Sequence, residues 1–436
     1  VSPTDESKLK PPGAVLDIAR TLEDAGFETW CVGGAVRDAL LGHPHLDWDL
    51  ATAATPPQVR KLFKRTVPVG IKFGTIGVLD PKGVMHEVTT FRRDVKTDGR
   101  HAEVEFGASL DEDLARRDFT VNAIAWSSSK KMLHDPFKGR EDLEKKVIRA
   151  VGKAADRMTE DRLRALRALR FASRFGFTID AATWKAILES APHLGRLSME
   201  RVKQELEKTM EQVAKPSEAM RLWRSSGAFT SVVPALAGVS DITLASLDAI
   251  AQPSGTAHPE RRIDRLTALF AELSAKDAER ALKALRFSNS DIAWVRDIVE
   301  RWHAMEPALR AALMSGAPVP AVALRRWVAT AGRMRVGAVM RLAAARFAAE
   351  RAAGVPAPTA ARVASLYRRM SRAAFHEPVE LGDLAVDGDD LRSAGVPAGP
   401  AMGRTLVALL EWVLEDPARN TRDALLARVK EPGSVA

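Results

Sequence analysis

A small α+β head followed by a long all-helical body is the fold class predicted by this sequence, on three observations. Residues 1 to about 150 mix short β-type runs with helices. After about Val151 the apolar spacing is helical nearly throughout. Glycine and proline clusters, among them Gly316 with Pro318 and Pro320, Gly354-Val355-Pro356 and Gly395-Val396-Pro397, mark loops in that second part. At roughly 100–200 residues per domain, the 436 residues suit two to four domains.

The elements of the head follow in order. Residues 14–25 form an amphipathic helix, with Val15, Ile18, Leu22 and Ala25 on one side. Residues 27–32 are a strand broken by Gly33-Gly34. Residues 35–41 form a short helix, stopped by Gly42 and Pro44. Residues 47–51 alternate and read as a strand. Residues 75–79 and 84–91 pair as a hairpin around Pro81-Lys82-Gly83. Residues 92–109 contain Asp94, Asp98, Gly99 and Arg100 with little apolar periodicity, and read as a long loop.

Composition excludes several classes. Hydrophobic residues make up 46% and charged residues 28%, ordinary for a soluble globular chain. No long apolar window is present, so no membrane span is expected. The stretch VSPTDESKLKPPG lacks the apolar core of a secretory signal. Cys31 is the only cysteine, which excludes an internal disulfide and paired-cysteine zinc sites and fits a cytoplasmic setting. No obligate protein partner is evident. Lys and Arg number 65 against 56 Asp and Glu, a net charge of +9. A basic balance favours a polyanion, nucleic acid first. Residues 321–370 hold ten Arg, no Lys and one acid, Glu350, so that window alone carries +9.

The sharpest pattern is Gly33-Gly34-Ala35-Val36-Arg37-Asp38 followed by Asp47-Trp48-Asp49. In a strand, residues i and i+2 share a face. Asp47 and Asp49 therefore stand side by side, with Trp48 and Leu50 facing a core. Two close carboxylates repel unless a cation sits between them. Such oxygens suit Mg²⁺, which uses one or two carboxylates plus substrate phosphates. Two such ions can clamp the attacking and leaving oxygens of phosphoryl transfer. The Gly33-Gly34 turn between strand and helix lets a phosphate approach the backbone, and Arg37 lies one turn further on. A lone D-x-D is more often a solvated strand edge, and a lone Gly-Gly a plain turn. The combination in a strand–turn–helix–strand context is far more specific.

With these residues the chain resembles the nucleotidyltransferases of the DNA polymerase β superfamily. More closely it resembles the bacterial and eukaryotic class of tRNA nucleotidyltransferases (CCA-adding enzymes) and the bacterial poly(A) polymerases. Four later motifs agree in order: Arg116-Arg117-Asp118-Phe119-Thr120-Val121-Asn122-Ala123; Asp135-Pro136-Phe137 with Gly139, Asp142 and Leu143; Glu160-Asp161-Arg162-Leu163-Arg164; and Leu197-Ser198-Met199-Glu200-Arg201. The resemblance implies a mixed-sheet nucleotidyltransferase head at 1–150, a helical neck at 151–215 that selects the base, and a helical body and tail at 216–436 that bind tRNA. The implied activity is addition of C, C and A to tRNA 3′ ends from CTP and ATP with two Mg²⁺ ions. Asp47 and Asp49 would hold the metals. Gly34, Arg37 and Arg117 would bind the triphosphate and sugar side, and Arg167 and Arg170 would contact the nucleotide. Asn122 reads as a sugar contact or as a packed turn residue. Glu87 reads as a third carboxylate or as a strand-surface acid. The 92–109 stretch corresponds to the loop that helps these enzymes switch from C to A.

Base choice can be read from chemistry. With Thr159 as N-cap and Glu160 and Asp161 in the first turn, Asp161 and Arg164 become i,i+3 neighbours on one helix. That spacing more often makes a surface salt bridge. As a template, the carboxylate accepts from an amino group while Arg donates to a ring nitrogen. Cytosine and adenine offer that order, whereas guanine and uracil offer the reverse. The resemblance implies this role for the pair.

The nearest alternatives are A-adding, CC-adding and poly(A)-adding relatives, and outside the enzymes a noncatalytic RNA-binding protein. The run Val69 to Thr75 departs from the poly(A) polymerase pattern and favours a tRNA substrate. No His-Asp pair other than His134-Asp135 is present, so no metal phosphohydrolase activity is expected. In the body, Arg325, Arg326, Arg333, Arg335, Arg341 and Arg346 lie far from the motifs in sequence and are expected to contact tRNA phosphates.

Overall fold

The computed structural model describes residues 6–43, 47–97, 102–250 and 259–431. The chain folds into two compact units. One comprises residues 1–209 with 222–234, the other 210–221 with 235–436.

The first unit is built on a seven-stranded mixed sheet. Helix α1 (Gly13–Asp24) buries Val15, Ile18, Ala19 and Leu22, the face set by its apolar spacing. Strand β1 (Thr29–Val32) runs into the Gly33 turn and α2 (Gly34–Leu40). Then come β2 (Asp49–Thr52), α3 (Pro56–Leu62), β3 (Thr66–Gly70), β4 (Thr75–Leu79) and β5 (Met85–Thr90). The bounds of α1, β1, α2, β2, β4 and β5 fall within about two residues of those read from the sequence, whereas α3 and β3 have no counterpart there.

Residues 92–109 differ from the expected loop. β6 (Arg92–Thr97) and β7 (Ala102–Phe106) pair antiparallel as a separate two-stranded ribbon. Asp98, Gly99 and Arg100 lie outside the described residues. Arg93 is held by Glu105 at 2.8 Å and by Glu112 at 3.3 Å. Cross-strand charge pairing thus supplies a register that apolar periodicity does not reveal.

After α4 (Leu110–Ala115), β8 (Ala125–Ser127) and β9 (Met132–His134) complete the sheet in the order β3-β4-β5-β2-β1-β8-β9. Only β2 and β5 run parallel, with Leu50 opposite Val88. Trp30, Val32, Ala51, Ala125, Leu114 and Phe91 form the core on one side of the sheet. Helix α5 (Gly139–Lys145) follows, and its first residue is fixed by space. A Cβ on Gly139 would lie 2.2 Å from the Thr120 carbonyl oxygen.

Beyond this point the chain is almost wholly helical. Helices α6 (Ala154–Glu160), α7 (Leu163–Phe175), α8 (Ala181–Ser190) and α9 (Met199–Gln212) succeed one another. One short parallel pairing, Val147–Ile148 with Thr178–Ile179, interrupts them. The second unit is helical throughout its described residues, including the long helix Asn289–Ser315. Near its C-terminal end Leu391, Leu409, Val413 and Leu425 share a separate apolar cluster. Among the described residues no helix is long and apolar enough to cross a membrane.

Candidate active site in the first unit

The alternation inferred for Asp47-Trp48-Asp49-Leu50 is the one observed. Trp48 and Leu50 are 2% and 0% exposed, Asp49 is half-buried and Asp47 is exposed. Asp49 opens β2, where Val32 of β1 pairs with it. Glu87 lies on neighbouring β5, one residue before Val88, on the half-exposed side of its strand. Burial first, then the charges of Asp47 and Glu87, push the Asp49 carboxyl up to about 7 against the pull of Arg117. Burial and Asp47 likewise raise Glu87. A divalent metal held between these carboxylates would offset both their burial and their mutual repulsion. Among the described residues no group of three His, Cys, Asp or Glu side chains forms a closed cage. An open pair completed by phosphate oxygens is how Mg²⁺ is commonly held.

The turn beside the carboxylates is shaped by Gly33 more than by Gly34. Gly33 has φ 76° and ψ −133°, a region open to glycine alone. A Cβ there would meet Nη1 of Arg117 at 2.8 Å. Arg117 donates to buried Asp113 at 3.1 Å, and Arg116 donates to the same carboxylate at 2.7 Å. Asp113 therefore aims Arg117 across the turn, a role the sequence motif did not reveal.

Arg37 does not project from α2 as its spacing suggested. It is 3% exposed, donates from Nε to Asp38 at 2.7 Å and bonds Asn122. Its Nη2 lies 3.5 Å from where a Gly34 Cβ would stand, in ordinary contact with the turn. The charge thus underlies the turn from the protein side. Asn122 is buried between Arg37 and Asp118, donating to Asp118 at 2.8 Å. The packed-turn reading of Asn122 is the one the geometry fits.

The Glu160–Arg164 stretch is a break between two helices. Thr159 lies inside α6, donating to the Ala155 carbonyl at 2.9 Å, so it is not an N-cap. Asp161 is extended, φ −147° and ψ 101°, and α7 starts after Arg162. Asp161 accepts from the Leu163 backbone N–H at 3.1 Å and from Arg201 of α9 at 2.7 Å. Arg164 donates to Glu160 at 2.8 Å and to the Arg116 carbonyl at 2.8 Å. The two members of the expected template are adjacent in the chain path but paired with other groups. Their backbones still close a turn, Arg164 N–H to the Asp161 carbonyl at 3.0 Å, while the side chains are taken by Arg201 and Glu160.

Further along α7, Arg167 donates to Asp118 at 2.8 Å and Arg170 to Glu205 at 2.7 Å. Burial pushes Asp118 up, but Arg167, the Asn122 hydrogen bond and Arg164 outweigh it and hold the carboxyl at about 2. Arg170 is buried. Arg167 is the more open of the two. Glu205, on α9, went unnoticed in the sequence; a lone acid in a charged helix carries no signal there.

Each of the six body arginines has an acid or carbonyl partner from elsewhere in the second unit. Arg325 is 7% exposed and donates to the Leu414 and Glu415 carbonyls at 2.5 and 2.8 Å, so it fastens two segments and is withdrawn as an RNA contact. Arg326 pairs with Glu411, Arg333 with Asp383, Arg335 with Asp297, Arg341 with Asp264 and Arg346 with Glu272. Acids distant in sequence thus pair with part of the run. Arg368 and Arg372, one turn apart on the helix Ala360–His376, are exposed without a recorded acceptor among the described residues.

Comparison with known proteins agrees with this geometry. Residues 29–149 match the family described as the poly A polymerase head domain. Residues 176–239 match the one described as the probable RNA and SrmB-binding site of polymerase A. The chain is 36% identical over 430 residues to a CCA-adding enzyme of Geobacillus kaustophilus (strain HTA426), covering 97% of this chain and 98% of that protein. Among solved structures, the Bacillus stearothermophilus CCA-adding enzyme in complex with CTP superposes with a TM-score of 0.74 at 32% identity, covering 97% of each chain. The Thermotoga maritima CCA-adding enzyme complexed with tRNA shares the fold, with a TM-score of 0.67 at 21% identity and 98% of each chain covered.

Proposed function

The chain belongs to the family of CCA-adding enzymes, and on that premise we propose that it adds C, C and A to the 3′ end of tRNA from CTP and ATP without a nucleic-acid template. The observation that carries this reading is the same-face pair Asp47 and Asp49 beside a glycine turn crossed by Arg117. That set joins a metal site to a triphosphate site. We assign residues 1–150 to catalysis, 151–215 to base selection and 216–436 to holding the tRNA, in the cytoplasm.

Asp47 and Asp49 would hold two Mg²⁺ ions, which supply charge neutralisation when the tRNA 3′-hydroxyl attacks the α-phosphate and pyrophosphate leaves. Glu87, beside Asp49 on the neighbouring strand, would be the third carboxylate that assists removal of that hydroxyl's proton. The turn at Gly33 and Gly34 receives the phosphates, with Arg117 above and the Arg37 charge beneath. These groups are fixed before substrate arrives, so little reorganisation is needed as charge shifts to the leaving oxygen.

Asp161 and Arg164 read the Watson–Crick edge. Each already holds a partner, Arg201 and Glu160, which pre-orients it. Cytosine and adenine satisfy both groups, while guanine and uracil oppose a carbonyl to the carboxylate. Arg167 contacts the nucleotide from the next turn, with Arg170 behind it. A site that leaves buried polar groups unpaired can reject a wrong base by about 10⁴-fold. Phosphate contacts by the body, which carry no sequence information, would position the rest of the tRNA.

Asp47→Ala or Asp49→Ala tests the assignment. Either variant is expected to lose nucleotide addition while tRNA binding stays near wild type. Substantial residual turnover in either would remove the two-metal reading.

A further inference from the structure

Two rings on α7 organise four arginines. The Phe171 and Phe175 rings are stacked, with centroids 5.9 Å apart and planes 10° apart. The Arg37 guanidinium carbon lies 5.0 Å from the Phe171 centroid and 4.7 Å from that of Phe175. Arg170 and Arg167 lie 4.3 and 5.2 Å from Phe171, and Arg174 lies 5.0 Å from Phe175. Cations over ring faces are attracted by the ring quadrupole, more strongly when water is excluded.

Carboxylates alone do not explain this arrangement. Asp38 serves both Arg37 and Arg174, Asp118 serves Arg167, and Glu205 serves Arg170. Those acids neutralise charge. They grip the guanidiniums unequally: Arg37 is held by Asp38 through Nε and Nη2 and by Asn122, whereas Arg167 donates to Asp118 through Nε. The ring faces back these contacts on the side the carboxylates leave open. They also join two parts of the site, because Arg37 ends at the Gly34 turn while Arg167 sits one turn beyond Arg164 on α7.

We propose that Phe171 and Phe175 are positioning residues for nucleotide binding: their stacked faces lock Arg37 and Arg167 and thereby hold the phosphate turn and the base-reading helix in register. The inference rests on the proposed nucleotide role of that turn and helix. Neither ring needs to touch substrate.

The test separates ring electrostatics from packing. Phe175→Leu keeps apolar contact and removes the quadrupole, whereas Phe175→Tyr keeps the ring face at a half-buried position. Steady-state addition to tRNA is measured for CTP and for ATP, with melting temperature alongside. In Phe175→Leu, KM for both nucleotides is expected to rise about ten-fold with kcat within about three-fold, the size expected from one or two desolvated ring–cation contacts. Phe175→Tyr is expected to stay close to wild type. Phe171→Leu, which strips contacts from three arginines, is expected to raise KM further if it folds; the Phe175 pair decides the matter if it does not. An unchanged KM in Phe175→Leu, or equal impairment in Phe175→Tyr, overturns the inference. Asp161→Ala run in parallel keeps the two readings apart. Loss of base selectivity there with wild-type KM in the phenylalanine variants sinks only the ring inference. Retained selectivity in Asp161→Ala sinks the base-reading premise itself.

Discussion

Replacing Gly33 by alanine puts the turn geometry to a quantitative test. The backbone at φ 76° and ψ −133° is strained for any L side chain, at about 2 kcal/mol. The new Cβ would also sit 2.8 Å from Nη1 of Arg117, so the guanidinium must leave its 3.1 Å bond to Asp113 or the turn must move. If the turn moves, CTP affinity is expected to fall roughly 30-fold, the equivalent of about 2 kcal/mol. Equilibrium CTP binding and chemical denaturation are measured on Gly33→Ala and on a control, Gly26→Ala. Gly26 has φ 85° with nothing within 4 Å of its Cβ position, so its replacement is expected to cost about 1 kcal/mol of stability through backbone strain alone and to leave CTP binding intact. Wild-type CTP affinity in Gly33→Ala would refute the reasoning, as would an equal loss in both variants.

Other expectations follow from the ion pairs. Asp161→Ala should raise misincorporation of UTP and GTP more than it weakens triphosphate binding, read from competition assays; wild-type selectivity would contradict the template. Asp118 is held at about 2 in the folded protein, below its ordinary 3.8, so its stabilisation is complete above the unfolded value and is lost as pH falls through about 2. Asp118→Asn should therefore cost roughly 2 kcal/mol at pH 7 and about half of that at pH 3, by denaturant titration at each pH; a pH-independent difference would contradict the linkage. Arg325→Ala should destabilise the second unit without changing the salt dependence of tRNA binding. Arg368→Ala with Arg372→Ala should flatten the slope of log K against log salt by up to about 2, and an unchanged slope would exclude that face.

What could be read without coordinates was local. The Asp47–Leu50 alternation needs only the two-residue repeat of a strand, and the Gly33-Gly34 break needs only glycine's freedom. What could not be read depends on partners remote in sequence. Asp161 leaves the helix where Arg201, forty residues on, takes its carboxylate. Arg37 turns inward to Asp38 and Asn122 and over the Phe171 and Phe175 rings, partners of which all but Asp38 lie far along the chain. Half of the ten arginines in the basic run at 321–370 pair with Asp264, Glu272, Asp297, Asp383 and Glu411, none of them inside it. Parallel pairing of β2 with β5, which brings Glu87 beside Asp49, joins strands separated by two others in the chain. The β6–β7 ribbon escaped because its register is set by charge pairs such as Arg93 with Glu105.

The product ladder on a tRNA that lacks its last three nucleotides tests the proposed function most directly. With CTP, ATP and Mg²⁺, the enzyme is expected to give +1 and +2 products from CTP alone, a +3 product when ATP is added, and then to stop; UTP and GTP are expected to give nothing. A ladder that ends at +2 with both nucleotides present would mark a CC-adding enzyme. Addition only to a tRNA already ending in CC would mark an A-adding one. A long adenylate tail, or no extension at all, would contradict CCA addition outright.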